Sequence, residues 1–169
     1  MHQDVKEILY SQEQLATRIR ELGAEISKDY ANESVVLVGV LKGAIVFYTD
    51  LARTIDDSVD VSFDFISCSS YGDGTTSTGV VRILKDLDRS VEGKNVLVVE
   101  DIVDTGLTMQ RLLETLGTRG PQEIHIASLL VKPDKLKVDL NIEYVAMNIP
   151  NDFIVGYGLD YDGFGRNYP

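Results

Sequence analysis

Two apolar runs without alternation, VVLVGV at residues 35–40 and NVLVV at 95–99, constrain the fold more than any other feature of the chain. A strand with one wet face alternates polar and apolar side chains, so a run that is apolar at nearly every position predicts a strand covered on both faces. Each run leads into a segment of helical character. After Leu41-Lys42-Gly43 comes an apolar stretch from Ala44 to about Thr54, and after the second run Met109, Leu112, Leu113 and Leu116 form a helical stripe ended by Gly117 or Gly120 and Pro121. A third strand is expected over residues 124–131, followed by apolar runs near 144–149 and 153–159. Buried strands alternating with helices predict an α/β fold with a central, mainly parallel sheet flanked by helices, and ligands at the C-terminal strand ends.

The remaining segments fit around that frame. Ser11 and Gln14 have the spacing of a capping box, and Leu15, Ile19, Leu22 and Ile26 predict an amphipathic helix over about 12–29. Val59, Val61, Phe63 and Phe65 alternate with Asp60, Ser62 and Asp64, as a strand with one wet face would. Residues 67–79 (SCSSYGDGTTSTG) are almost free of apolar side chains and read as a mobile loop before a strand at 80–84. With the C-terminal segments, these extra strands are expected to build an antiparallel flank or small hood on a single domain spanning 1–169.

Charge and cysteine content exclude several classes of function. The chain carries 16 Lys and Arg against 27 Asp and Glu, a net charge of −11, which leaves no cationic footprint for nucleic acid. Cys68 is the only cysteine and His2 and His125 the only histidines, so neither an internal disulfide nor a zinc site is expected. His125 lies within a strand and is expected to pack. No apolar run approaches the length of a membrane span, and the polar N-terminus does not resemble a signal peptide, so a cytoplasmic setting is expected.

The chemistry concentrates in residues 96–108, VLVVEDIVDTGLT. A buried strand ends in two carboxylates, Glu100 and Asp101; a short loop follows; a helix begins. Asp104 is expected to act as N-cap, and Gly106 lets the backbone curl around a ligand. The free amides at a helix mouth favour an anion, and Thr105 and Thr108, three apart, add two hydroxyl donors. Glu100 and Asp101 suit sugar hydroxyls and a hydrated Mg2+. A phosphate cradle beside hydroxyl acceptors implies a ribose 5-phosphate group, although an acidic strand end before a capped helix would look the same.

The segment VVEDIVDTGLT resembles the phosphoribosyl-diphosphate-binding motif of the type I phosphoribosyltransferases. Leu41-Lys42-Gly43, Ser70-Tyr71, Leu130-Val131-Lys132 and the run FIVGYGLD at 153–160 follow in the order found in the hypoxanthine-guanine branch of that family, over nearly the whole chain. The resemblance implies an enzyme of purine salvage that joins a 6-oxopurine base to 5-phosphoribosyl-1-diphosphate, giving IMP or GMP and pyrophosphate, with Mg2+ as cofactor. It implies that Asp104 takes the proton from purine N7, and that Glu100, Asp101, Asp104, Thr105, Gly106, Leu107 and Thr108 hold the phosphoribosyl group. Lys42 and Gly43, the former behind a cis peptide bond, would hold pyrophosphate with Arg166, while Ser70 and Tyr71 would close over it. Lys132 would donate to the 6-oxo group, Phe153 would stack on the base, and the Ile154 backbone would read its far edge. Asp160, beside the base, would take a second Mg2+, complementing Glu100 and Asp101. Relatives of this kind are usually dimers or tetramers. Two rival readings stay open at this point: transfer to xanthine or another base, and a non-catalytic sensor of phosphoribosyl diphosphate.

Overall fold

The computed structural model describes residues 3, 5–70 and 81–169. Strands β1 (Ser34–Leu41), β2 (Asp60–Ser70), β3 (Val81–Lys85), β4 (Asn95–Val103), β5 (Glu123–Val131) and β6 (Tyr144–Asn148) form one sheet in the order β3-β2-β1-β4-β5-β6. Every pairing is parallel except β2 with β3. Helices α1 (Gln12–Asp29) and α2 (Ile45–Ala52) contribute to one hydrophobic cluster, and α3 (Leu107–Gly117) to the other.

The two apolar runs owe their lack of alternation to this layering. Leu37, Leu97 and Val99 face the α1–α2 core, whereas Val36, Val38, Val96 and Val98 face the α3 core. A strand buried between two layers has no wet face on which a polar residue would be neutral, since each unpaired buried polar group costs about 1–3 kcal/mol. Helix α1 starts as expected: the Ser11 hydroxyl accepts the Gln14 N–H at 3.2 Å, and the Gln14 side chain accepts the Ser11 N–H at 2.8 Å. Its stripe Leu15, Ile19, Leu22 and Ile26 is buried.

Three expectations need correcting. On β2 the wet and dry positions are exchanged locally: Phe63 is 61% exposed, while Asp64 is 4% exposed. Asp64 is buried because its carboxylate accepts the backbone N–H groups of Asp88 and Arg89, tying down the turn before β4. Residues 144–148 join the main sheet as parallel strand β6 instead of an antiparallel flank, so the flank consists of β3 alone among the described strands. The third correction concerns Asp104, which is not a helix cap and is taken up with the site below. His125 packs as expected, its Nδ1 lying 2.8 Å from the Tyr30 hydroxyl.

Candidate active site

Strands β1 and β4 are sequence-distant but adjacent, with Gly39 opposite Val99. Just beyond, the loop that leaves β1 meets β4 itself at Asp101. The Leu41–Lys42 peptide is cis. Gly43 then lies so close to Asp101 that a β-carbon on it would fall 1.9 Å from the Asp101 Oδ2. Asp101 Oδ1 accepts its neighbour's N–H, Ile102, at 2.8 Å, and the Asp101 N–H donates to Glu100 Oε1 at 3.0 Å. Burial first, and the adjacent Asp101 charge second, push the Glu100 carboxyl well above the ordinary range. A site that raises the cost of a carboxylate in this way is one that a cation or a hydroxyl donor would relieve.

The C-terminal segment closes against the same loop. Gly158 sits at φ +99°, and a β-carbon there would fall 2.1 Å from the Gly43 carbonyl oxygen. Arg166 returns beside it: its Nη1 donates to the Gly158 carbonyl at 2.6 Å and its Nη2 reaches Asp160 Oδ1 at 3.0 Å. The other Asp160 oxygen accepts the Gly163 N–H at 2.8 Å. The structure therefore gathers Lys42, Gly43, Asp101, Asp160 and Arg166 at one edge of the sheet, with Lys42 exposed.

The second half of the site follows β4. Asp104 and Thr105 precede Gly106, which is the N-cap of α3 in the left-handed region at φ 82°, with no side-chain capping bond. Asp104 was expected in that role; the chain instead needs two further residues to turn, and only glycine takes the left-handed geometry cheaply. Gly106 is also hemmed in, since a β-carbon would lie 2.9 Å from Val138 Cγ2. Thr105 Oγ1 meets the Leu107 N–H at 3.4 Å, and Thr105 and Thr108 stand at the helix mouth with its first-turn amides.

Freed from capping, the Asp104 carboxylate faces Lys135, whose Nζ lies 3.3 Å from Oδ1 and 3.4 Å from Oδ2. Its Oδ1 is buried without a hydrogen bond of acceptable geometry among the described residues. Lys132 is 7% exposed at the end of β5, and its ammonium has no hydrogen-bond or ion-pair partner among the described residues. Its backbone N–H donates to the Val103 carbonyl at 3.0 Å, and the Lys137 N–H to that of Thr105 at 2.9 Å, so the 132–137 turn is laced to the Asp104 loop. Lys135 was not anticipated. The signal was present in the spacing Lys132-Pro133-Asp134-Lys135, because a 3-10 turn at 133–135 sets residues three apart on one side.

Phe153 is 74% exposed and meets Tyr161 edge-on at 5.7 Å, so one aromatic face is left for a ligand, while Ile154 packs against the core. Ser70 ends β2 at the same end of the sheet, and Tyr71 lies outside the described residues. Among the described residues no three His, Cys, Asp or Glu side chains form a metal-binding group.

The sequence and the fold both match known proteins. The phosphoribosyl transferase domain family matches residues 5–162. A hypoxanthine-guanine phosphoribosyltransferase of Mycobacterium avium is 50% identical over 165 residues, covering 94% of this chain and 80% of that protein. Its counterpart in Staphylococcus aureus strain Mu50 is 46% identical over 169 residues, 100% of this chain and 93% of that one. Among solved structures, a hypoxanthine phosphoribosyltransferase from Staphylococcus aureus superposes with a TM-score of 0.95 at 45% identity, covering 99% of this chain and 90% of its own. A hypoxanthine-guanine phosphoribosyltransferase from Bacillus anthracis superposes with a TM-score of 0.93 at 47% identity, covering 98% and 96%. With the family matching residues 5–162 and relatives 45–50% identical over nearly the whole chain, the chain belongs to the phosphoribosyltransferase family.

Proposed function

We propose that this enzyme transfers the 5-phosphoribosyl group of 5-phosphoribosyl-1-diphosphate to N9 of hypoxanthine or guanine, giving IMP or GMP and pyrophosphate. The observation that carries the reading is the pairing of the Asp104–Thr108 helix mouth with Lys132, a buried lysine whose ammonium has no hydrogen-bond or ion-pair partner among the described residues. Thr105, Gly106, Leu107 and Thr108 hold the 5-phosphate through backbone amides and two hydroxyls. Glu100 and Asp101 accept the ribose hydroxyls. Lys132 donates to the 6-oxo group; an amino group at that position would set donor against donor, which disfavours adenine. Phe153 stacks on the base and the Ile154 backbone reads its far edge. Asp104 takes the proton from N7 as N9 attacks the anomeric carbon, and Lys135 fixes the carboxylate's direction. The amides of Lys42 and Gly43, together with Arg166, hold the departing pyrophosphate.

The oxygen donors present fit Mg2+, which takes one or two carboxylates and completes its shell with water and substrate phosphates. Glu100 and Asp101 would hold one ion. Asp160 would hold a second through its remaining lone pairs, since both its oxygens already serve Arg166 and Gly163. Held there, Mg2+ would offset the negative charge of the diphosphate leaving group.

No helix among the described residues is long and apolar enough to cross a membrane. Self-association as a homodimer or homotetramer belongs to the same proposal, and sedimentation would measure it. Pyrophosphate release with hypoxanthine, guanine, xanthine and adenine offered separately, with and without Mg2+, tests the reading. Turnover is expected with hypoxanthine or guanine only; turnover with neither overturns it.

A further inference from the structure

Base stacking falls to a ring that the protein holds weakly. Phe153 is 74% exposed, in a stretch without helix or strand. An exposed ring changes rotamer freely, and a base that stacks on it must first stop that motion. Among the described residues its one ring partner is Tyr161, with centroids 5.7 Å apart and planes at 83°. The perpendicular arrangement is one that the two ring quadrupoles favour. Tyr161 is itself 65% exposed, and its hydroxyl has no hydrogen-bond partner among the described residues, so it adds little to the core. Its backbone, by contrast, is fixed. The Tyr161 N–H donates to the Phe164 carbonyl at 2.9 Å, and the Phe164 N–H to that of Tyr161 at 3.0 Å. Between them Asp162 and Gly163 have φ of 50° and 84°, the two left-handed residues that a tight hairpin turn of the primed type requires. The Gly163 N–H also donates to Asp160 Oδ2 at 2.8 Å, and Asp160 Oδ1 holds Arg166 at 3.0 Å. The turn that presents Tyr161 is thus anchored at both ends.

We propose that Tyr161 is a positioning residue for purine binding, which acts through Phe153 by holding that ring in the orientation in which the base stacks. The inference rests on the catalytic reading above, in which Phe153 is the stacking residue. A rigid turn carries a ring that restricts its neighbour, so the ordering of Phe153 precedes the arrival of the base and is not left to binding. The contact lies on the base half of the site. Tyr161 therefore acts on base affinity and leaves the diphosphate and the chemical step alone.

The test is steady-state kinetics with hypoxanthine and phosphoribosyl diphosphate varied in turn, for the parent chain, Tyr161→Ala, Tyr161→Phe, Phe153→Ala and the double alanine variant. Tyr161→Ala is expected to raise the KM for hypoxanthine by about 2- to 12-fold, the worth of one aromatic pair. Its kcat and its KM for phosphoribosyl diphosphate should change by less than about twofold. Tyr161→Phe keeps the ring and drops only the unpaired hydroxyl, so it should behave as the parent. The Tm of Tyr161→Ala should stay within about 2 °C of the parent, because the residue is mostly exposed. In the Phe153→Ala background Tyr161→Ala should have no further effect, since a residue that acts through another has nothing to act on once that one is gone. With a parent chain that turns over, three results each overturn this proposal alone: a KM for hypoxanthine unmoved by Tyr161→Ala, one moved equally with and without Phe153, or a Tyr161→Phe variant as impaired as Tyr161→Ala. A parent chain without turnover removes the catalytic reading, and this proposal with it.

Discussion

Replacing Gly158 by alanine probes the contact that joins the C-terminal segment to the Lys42-Gly43 loop. Two costs arise. An L-residue at φ +99° carries a strain of about 1–2 kcal/mol. The added methyl would also start 2.1 Å from the Gly43 carbonyl oxygen, a backbone atom that cannot rotate away, and forcing such overpacked groups apart costs about 1–3 kcal/mol. Together they predict a loss of about 2–5 kcal/mol, and at about 2–4 °C per kcal/mol for a chain of this size the Tm should fall by about 4–20 °C. Gly93→Ala is the control. Gly93 has a φ of +70° but nothing within 4 Å of its would-be β-carbon, so it carries the strain without the clash. The unfolded-state benefit of removing a glycine is common to both and cancels in the comparison. Because Gly43 must yield, Gly158→Ala should also raise the KM for phosphoribosyl diphosphate by about 10–100-fold, an effect of misplacement that Gly93→Ala should lack. Thermal unfolding by calorimetry and initial rates across a diphosphate titration read both quantities. If the two variants have the same Tm and the same KM, the close approach of Gly158 to Gly43 does not shape the site.

Other substitutions separate roles that share one side chain. Asp104→Asn should lower kcat by about 10²–10⁴-fold. It should leave the Tm within about 3 °C, because Gly106 and not Asp104 caps α3 and the lost partner is a half-exposed ion pair; near-normal kcat would remove Asp104 as the base. Lys132→Met should cut kcat/KM for hypoxanthine and guanine by about 10–100-fold, the worth of a charged hydrogen bond, without lowering the Tm. A fall in Tm would instead make Lys132 a packing residue. The Arg119 guanidinium grips Asp86 through two bonds of 2.7 and 2.9 Å, which holds that carboxyl below its ordinary range. A depressed carboxyl pKa stabilises the fold above the unfolded-state value, about 3.9, and the benefit disappears as pH falls through the folded value. Arg119→Ala should therefore cost about 0.2–1 kcal/mol at pH 7, measured by urea unfolding, with the gap to the parent protein closing below about pH 3.9. A gap that persists into acid would assign the loss to packing.

Much of this arrangement was legible in the sequence because its signals are local. The runs at 35–40 and 95–99 lack alternation for a reason that one strand alone reveals, and the Ser11–Gln14 box states its own geometry. What was not legible depends on distant partners. Asp64 looks like a solvent-facing residue until the 88–89 turn arrives to donate to it, and Phe63 looks like core until β2 proves too near the edge to be covered there. The expectation that Asp104 caps α3 failed because Asp-Thr-Gly permits two cap positions. The choice falls to Gly106 because the 132–137 turn ties the Thr105 carbonyl to Lys137, a contact between segments some thirty residues apart. Lys135 was missed for the same reason, since its meaning depends on where Asp104 points.

The adjacency of β1 and β4 has a consequence for how the protein is made. The two loops that build the site leave neighbouring strands, yet between Leu41 and Asn95 the chain must first lay down α2, β2 and β3. A nascent chain that has formed β1 carries an exposed Lys42-Gly43 turn and an uncovered strand edge, with nothing opposite either until β4 is synthesised and paired. Long-range parallel pairing of this kind is slow, because the loop entropy is lost before the contacts form. Binding competence therefore does not accumulate along the chain as it emerges; it arrives with the closing of one seam, and until then the half-built sheet edge is the surface a folding chaperone would have to shield.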